Sequence, residues 1–198
     1  MDDVDESGWG APDHLWVLRH VRIEVMTPVI DDDHVELTTW CSGAAAVAAG
    51  RRMSLTGDRG GHMEIESAWI HLGPDARPAR VVDFGLYADA AGGRAVSTRL
   101  ELPVPQSDGV GGPWPLRMTD VDLLGHVNNA AYWHAVEQRL VTSGLDPLLP
   151  LRARLDHRHP IDFPDEVELV EEVEPGRLGL GFNVDGVVSA VAWVEIHS

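Results

Sequence analysis

Apolar residues recur at every second position along much of the chain, which is the period of a half-buried β-strand. The first such stretch has Leu15, Val17, Val21, Ile23 and Val25 on one face. Further stretches predict strands at residues 35–41, 51–57, 62–72, 152–157, 166–173, 178–184 and 187–196. Turns rich in glycine or aspartate separate them. The pattern predicts a fold dominated by antiparallel strands.

One segment has helical spacing instead. The segment runs from Asn129 to about Ser143, and one face of the predicted helix carries Tyr132, Ala135, Val136 and Leu140. We expect this apolar stripe to be buried on the concave face of the sheet. Sheets combined with a single long helix place the chain in the α+β class.

The segment from Pro103 to Pro113 is rich in proline and glycine and is predicted to be a linker. It separates residues 1–102 from residues 114–198. These two parts share a sequence pattern. The stretch RIEVMTPVIDDDHVEL, from Arg22, aligns without a gap with RLDHRHPIDFPDEVEL, from Arg154, at an offset of 132 residues. We therefore predict a tandem repeat.

The same offset places the counterpart of Asn129 before Met1. The first repeat is therefore expected to be truncated, beginning after its own first strand and most of its helix. Without that helix, an apolar sheet face is left open and invites association. A homodimer is one way of covering it.

Composition excludes several classes of function. The net charge of −17 argues against nucleic acid or an anionic membrane as a partner. No stretch approaches the roughly 20 apolar residues of a membrane span, and the acidic N-terminus is unlike a secretory signal. A single cysteine, Cys41, excludes an internal disulfide. We expect a cytoplasmic protein.

Candidate chemistry is concentrated in the segment DVDLLGHVNNAAYW, from Asp120 to Trp133. Asp122 can act as a general base on water or attack directly. His126 can donate to a substrate oxygen or orient the water. Asn128 and Asn129 are further catalytic candidates, and either one can be the N-cap of the helix, a role that is equally expected.

The backbone of this loop can also supply hydrogen-bond donors to a substrate. A helix N-terminus carries N–H groups without helical partners and the positive end of the helix dipole. The N–H groups near Gly125 to Asn129 can therefore bind a developing oxyanion. A glycine also allows close approach of a ligand to the backbone. The candidate substrate-binding residues are Gly125, Val127 and Tyr132, and Asp120 is expected to be a turn residue.

Three segments together resemble the acyl-acyl-carrier-protein (acyl-ACP) thioesterases, a family with a double hot-dog fold. They are DVDLLGHVNNAAYW, the RIEV…VELTTWCSG…RR block and the strand LDHRHPI. The resemblance extends from about Trp9 to Trp193. It implies a tandem hot-dog fold with a central helix in the second repeat, and hydrolysis of fatty acyl-ACP or acyl-CoA to release a free fatty acid.

The chain also departs from this family. Plant members carry Asp, Asn and His at alternate positions of the loop, and a Glu-Cys pair on a downstream strand. Here Asp122 and His126 occupy the first and third positions, but Leu124 replaces the asparagine. Pro160 and Ile161 stand where the Glu-Cys pair would be, so a cysteine-dependent mechanism is not expected. The remaining groups are a carboxylate and a helix terminus.

These departures leave an alternative, a non-catalytic hot-dog protein that binds an acyl thioester. A hot-dog dehydratase is disfavoured because no His-containing Pro-Gly active-site string is present. No cofactor and no metal are expected, since the histidines are scattered and the HRH triplet at 157–159 alternates faces along a strand. Docking of an acidic carrier protein would need basic residues, for which the candidates are Arg139, Arg152, Arg154 and Arg158.

Overall fold

The computed structural model describes residues 15–106 and 111–197. These residues form nine β-strands, two α-helices and a short 3-10 turn at Met118–Asp120. In chain order the elements are β1 (Leu15–Thr27), β2 (Val35–Ala45), β3 (Ala48–Gly57), β4 (His62–Leu72), α1 (Phe84–Ala90), β5 (Gly111–Trp114), α2 (Ala131–Thr142), β6 (Leu151–His157), β7 (Val167–Glu174), β8 (Arg177–Val184) and β9 (Val187–Ile196). The predicted α+β composition and every predicted strand are confirmed.

The described residues form two compact units. The first comprises residues 15–21 and 29–99, and the second comprises residues 22–28, 100–106 and 111–197. The division of the chain at residue 102 stays a prediction. The last part of β1 belongs to the second unit, where the Glu24 carboxylate accepts a hydrogen bond from Arg152 Nε at 2.6 Å. Sequence periodicity identifies a strand but not the neighbour of each of its parts.

In the first unit the strands follow the order β2-β3-β4-β1. Strands β2, β3 and β4 pair antiparallel, and residues 57–61 form the turn between β3 and β4. Trp16 on β1 lies 5.2 Å from the His71 ring and 5.6 Å from the Tyr87 ring of α1, measured between centroids. These ring contacts join α1 to the sheet of this unit.

The second unit has the strand order β6-β9-β8-β7-β5, with antiparallel pairing. Its core includes Trp193, which is 1% exposed. The indole N–H donates to the Pro103 carbonyl at 2.8 Å. A Cβ at Gly179 would lie 2.6 Å from the indole ring, so glycine makes room for Trp193 on the neighbouring strand.

The predicted repeat is visible in the structure. The order β2-β3-β4-β1 of the first unit corresponds, element by element, to β7-β8-β9-β6 of the second. Strands β2 and β7 begin at Val35 and Val167, which are 132 residues apart. The expected truncation of the first repeat concerns residues outside the described ranges and stays a prediction.

The segment predicted as a linker, residues 103–113, contains the start of a strand. Strand β5 begins at Gly111 and pairs with β7, while residues 107–110 lie outside the described residues. A Cβ at Gly111 would lie 1.7 Å from the Leu169 carbonyl oxygen, so this glycine serves close strand pairing. Pro113 is tolerated because β5 is the last strand in the order.

Helix α2 packs in the second unit with the predicted stripe inward. Tyr132, Ala135, Val136 and Leu140 are all buried, together with Ala131. The Tyr132 ring lies 4.9 Å from the His157 ring on β6 and 5.1 Å from the Phe182 ring on β8, measured between centroids. The helix therefore lies against the sheet of this unit, and its N-terminal end carries the candidate loop.

Candidate active site

The loop before α2 is closed by hydrogen bonds between Asp122 and His126. The Asp122 N–H donates to the His126 carbonyl at 2.8 Å, and Asp122 Oδ1 accepts the His126 N–H at 3.2 Å. The same Oδ1 accepts the Leu124 N–H at 2.8 Å. One carboxylate oxygen of Asp122 thus orders the backbone of residues 122–126.

Gly125 is required at its position by backbone geometry. Its φ is +85°, a region that is open to glycine and costly for other residues. A Cβ there would meet no atom within 4 Å, so the constraint is conformational and not steric. Leu124 is half exposed beside it and supplies no polar group.

His126 makes a side-chain contact that the sequence did not predict. Its Nδ1 atom is hydrogen-bonded to Oδ1 of Asp162, a residue beyond β6. The His126 side chain keeps 43% of its surface exposed and that of Asp162 keeps 58%. The ring is therefore held from one side and remains accessible from the other.

The helix begins at Ala131, two residues later than predicted, and Ala130 is the N-cap. The reason is an Asx turn at Asn128, whose Oδ1 accepts the Ala130 N–H at 2.9 Å. The Asn128 carbonyl then accepts the Ala131 N–H at 2.9 Å. The prediction of Asn128 or Asn129 as the N-cap is therefore wrong, and Asn128 shapes the entry to the helix from outside the cap position.

Most N–H groups of the loop are already occupied. The Gly125 N–H donates to the Asp122 carbonyl, and the His126 N–H donates to Asp122 Oδ1. The Val127 N–H donates to the Ile161 carbonyl, and the Asn128 N–H donates to the Asp120 carbonyl. In this conformation of the loop, these four N–H groups are therefore not available to an oxyanion. Within residues 111–197, the Asn129 N–H donates to no group of the chain, and it remains as the candidate donor.

Val127 and Tyr132, two of the candidate substrate-binding residues, are buried. Val127 is 5% exposed and Tyr132 is 2% exposed. Tyr132 lies in an aromatic cluster with Trp114, Phe182 and His157. Burial raises the pKa of the Tyr132 phenol, and the negative charge of Asp162 raises it further. Contact of Val127 or Tyr132 with substrate stays a prediction.

Asp120 is a buried structural residue of the turn that precedes the loop. Its side chain is 4% exposed and pairs with Arg117, with Arg117 Nη2 2.7 Å from Asp120 Oδ1. The Arg117 N–H also donates to Asp120 Oδ2 at 2.9 Å. The hydrogen bond from the Arg117 guanidinium lowers the pKa of the Asp120 carboxyl. This agrees with the turn role predicted for Asp120.

A pH-dependent stability follows from this pair. The folded-state pKa of Asp120 is lowered. The stability that ionised Asp120 contributes is therefore fully present above its unfolded-state pKa of about 3.9, and it is lost as the pH falls through the folded-state pKa. We expect the stability difference between wild type and Asp120→Asn to shrink as pH falls below about 4. Urea unfolding at several pH values measures it. A difference that is independent of pH would contradict this assignment.

One cavity of the second unit does not fit an acyl-binding role. This cavity, of about 540 Å³ beside Trp114, is lined by several carboxylates, including those of Asp165, Glu166 and Glu168, and is a poor place for an apolar chain.

Among the described residues, no group of three or more His, Cys, Asp or Glu is arranged to hold a metal ion. No helix in the described ranges is long and apolar enough to cross a membrane.

The arginines suggested for carrier docking are all engaged within the chain. Arg139, Arg152 and Arg154 pair with Glu171, Glu24 and Glu195. Arg158 Nη2 donates to the Leu102 carbonyl at 2.7 Å. Carboxylates of the same unit therefore neutralise three of the four candidates, and docking of a carrier protein at these residues stays a prediction.

Comparisons with known proteins identify the family to which the chain belongs. Residues 11–88 match the acyl-ACP thioesterase N-terminal domain, and residues 107–190 match the C-terminal domain of the same family. An uncharacterized protein of Mycobacterium tuberculosis strain H37Rv is 30% identical over 182 residues, covering 89% of this chain and 72% of that protein. The chain belongs to the acyl-ACP thioesterase family, and this membership supports thioester hydrolysis in general.

Solved structures show the same fold. An acyl-ACP thioesterase from Bacteroides thetaiotaomicron is similar with a TM-score of 0.76 and 17% identity, covering 98% of this chain and 83% of that one. The 12:0-ACP thioesterase from Umbellularia californica gives a TM-score of 0.73 and 15% identity, covering 96% and 78%. At these identities the likeness establishes the fold, and the chemistry depends on this chain's own residues.

Proposed function

We propose that the chain hydrolyses acyl thioesters at the loop of residues 122–129, with fatty acyl-ACP as the substrate. The observation that carries the proposal is the closed loop in which Asp122 and His126 are hydrogen-bonded to each other's backbone at the start of α2. Two residues whose side chains can accept a proton are thereby held in one short, ordered loop.

A water molecule placed at these two groups can be activated for attack. Oδ1 of Asp122 is used by the loop, whereas its second oxygen accepts none of the hydrogen bonds found among the described residues. That oxygen and the His126 ring can each accept a hydrogen bond from the water. As the water oxygen bonds to the thioester carbon, one of these groups takes a proton.

The carbonyl oxygen then carries the negative charge. The Asn129 N–H, which is not used within residues 111–197, is the donor we assign to this oxyanion. When the carbonyl re-forms, the C–S bond breaks, and the departing thiolate takes up a proton to give the free thiol and a carboxylic acid. No metal or cofactor enters this sequence of steps.

Family membership supports an acyl-ACP as the thiol carrier. Incubation with acyl-ACP and acyl-CoA of matched chain lengths, with a thiol-reactive dye as readout, tests both parts of the proposal. We expect thiol release from both and a higher kcat/KM for acyl-ACP. Binding without release would favour the non-catalytic alternative, and a preference for acyl-CoA would overturn the carrier assignment alone.

A further inference from the structure

We propose that Asp162 is a positioning residue, which holds the His126 ring by Nδ1 so that Nε2 accepts the proton of the attacking water. This inference rests on the proposed hydrolysis and assigns the general base within it. Asp162 acts through His126 and is not itself in contact with the reacting atoms.

The backbone fixes both partners of this contact. His126 and Asp162 face each other in an isolated antiparallel β-bridge. Beside it, the Val127 N–H donates to the carbonyl of the fully buried Ile161 at 2.8 Å. The Asp162 N–H donates to Asp165 Oδ2 at 2.9 Å. The two side chains therefore meet on a fixed framework, although both are partly exposed.

The chemistry of the contact determines the role of the ring. An ionised carboxylate only accepts hydrogen bonds, and a neutral imidazole carries one N–H. Contact with Asp162 Oδ1 therefore places that proton on Nδ1 of His126 and leaves the lone pair on Nε2. A base oriented in this way takes one proton from the water while the water oxygen bonds to the thioester carbon, and it later protonates the leaving thiolate.

The first repeat provides an internal comparison. At the offset of 132 residues, Ile30 corresponds to Asp162, and Asp33 corresponds to Asp165. Both turns contain the same backbone hydrogen bond, from the Asp33 N–H to the Ile30 carbonyl at 3.2 Å and from the Asp165 N–H to the Asp162 carbonyl at 2.8 Å. The turn thus forms without a carboxylate at this position, so Asp162 is not needed for its conformation.

Asp162→Asn tests the inference because it keeps an oxygen acceptor but removes the charge, and its amide N–H₂ can reverse the tautomer. We expect kcat to fall by about 10²-fold or more, with KM nearly unchanged. Asp162→Glu, which restores the carboxylate, should recover part of this loss. Asp146→Asn is the matched control for loss of one surface charge, since Asp146 is exposed and its Oδ1 accepts only a local N–H, that of Leu148.

A second readout is independent of activity. Nitrogen-15 NMR of labelled histidine distinguishes the two tautomers, and the signal that disappears in His126→Gln identifies His126. We expect neutral His126 to be protonated on Nδ1 in the wild type and to lose this preference in Asp162→Asn. An unchanged tautomer, or a wild-type kcat in Asp162→Asn, would overturn the inference. Thiol release by the wild type tests the hydrolysis separately.

Discussion

Asp122→Asn should lower thioester turnover by about 10²-fold while the chain remains folded. The asparagine oxygen can still accept the N–H groups of Leu124 and His126, which Asp122 Oδ1 accepts in the wild type. What the substitution removes is the negative charge of the second oxygen, which we expect to hold the attacking water. Steady-state kcat measures the loss of turnover, and circular dichroism checks that the chain remains folded.

The control for this experiment is Asp146→Asn. Asp146 Oδ1 accepts the N–H of the residue two positions later, as Asp122 Oδ1 does, but it lies beyond α2. The Asp146→Asn variant should turn over substrate at the wild-type rate. Asp122→Ala removes both loop hydrogen bonds and should lose activity and local order together. Full activity in Asp122→Asn would assign Asp122 to loop closure alone.

The second large effect concerns the stability of α2. Arg139 on the helix pairs with Glu171 on β7, and the side chain of Glu171 is only 6% exposed, with Arg139 Nε 2.9 Å from Glu171 Oε1. Arg139→Ala leaves this buried carboxylate without its partner. We expect the free energy of unfolding to fall by about 3–5 kcal/mol, as measured by urea denaturation.

Arg154→Ala is the matched control, since Arg154 pairs with Glu195 and both side chains are about one-third exposed (33% and 29%). The Arg154→Ala variant should lose about 1 kcal/mol or less of the free energy of unfolding. The double variant Arg139→Met/Glu171→Leu removes both charges and should recover most of the stability. Equal losses for Arg139→Ala and Arg154→Ala would show that the buried pair is not the source of the effect.

The strands, the helix stripe and the repeat were predictable because each is a local pattern or a direct comparison of two segments. The apolar stripe of α2 follows from helical spacing, and the matching starts of β2 and β7 at Val35 and Val167 follow from the ungapped offset. The position of the motif before the helix was also visible in the sequence. These features require no knowledge of which distant segments meet.

The contacts that depend on distant segments were not predictable. His126 and Asp162 are 36 residues apart, and Arg152 and Glu24 are 128 apart. No periodicity indicates that these pairs meet, so neither the contact of Asp162 with His126 nor the ion pair of Arg152 with Glu24 was predicted. The start of α2 was misplaced for a local reason, because the Asx turn at Asn128 offers the backbone an alternative to the helix.

Strand β5 has a consequence for the behaviour of the protein in concentrated solution. It is the last strand of the second unit's order, and an edge strand exposes backbone groups on which another sheet could grow. Pro113 lies in this four-residue strand and removes one of its donors. A short edge interrupted by proline is a poor template for intermolecular β-pairing, so we expect β5 to protect the second unit against aggregation at this edge.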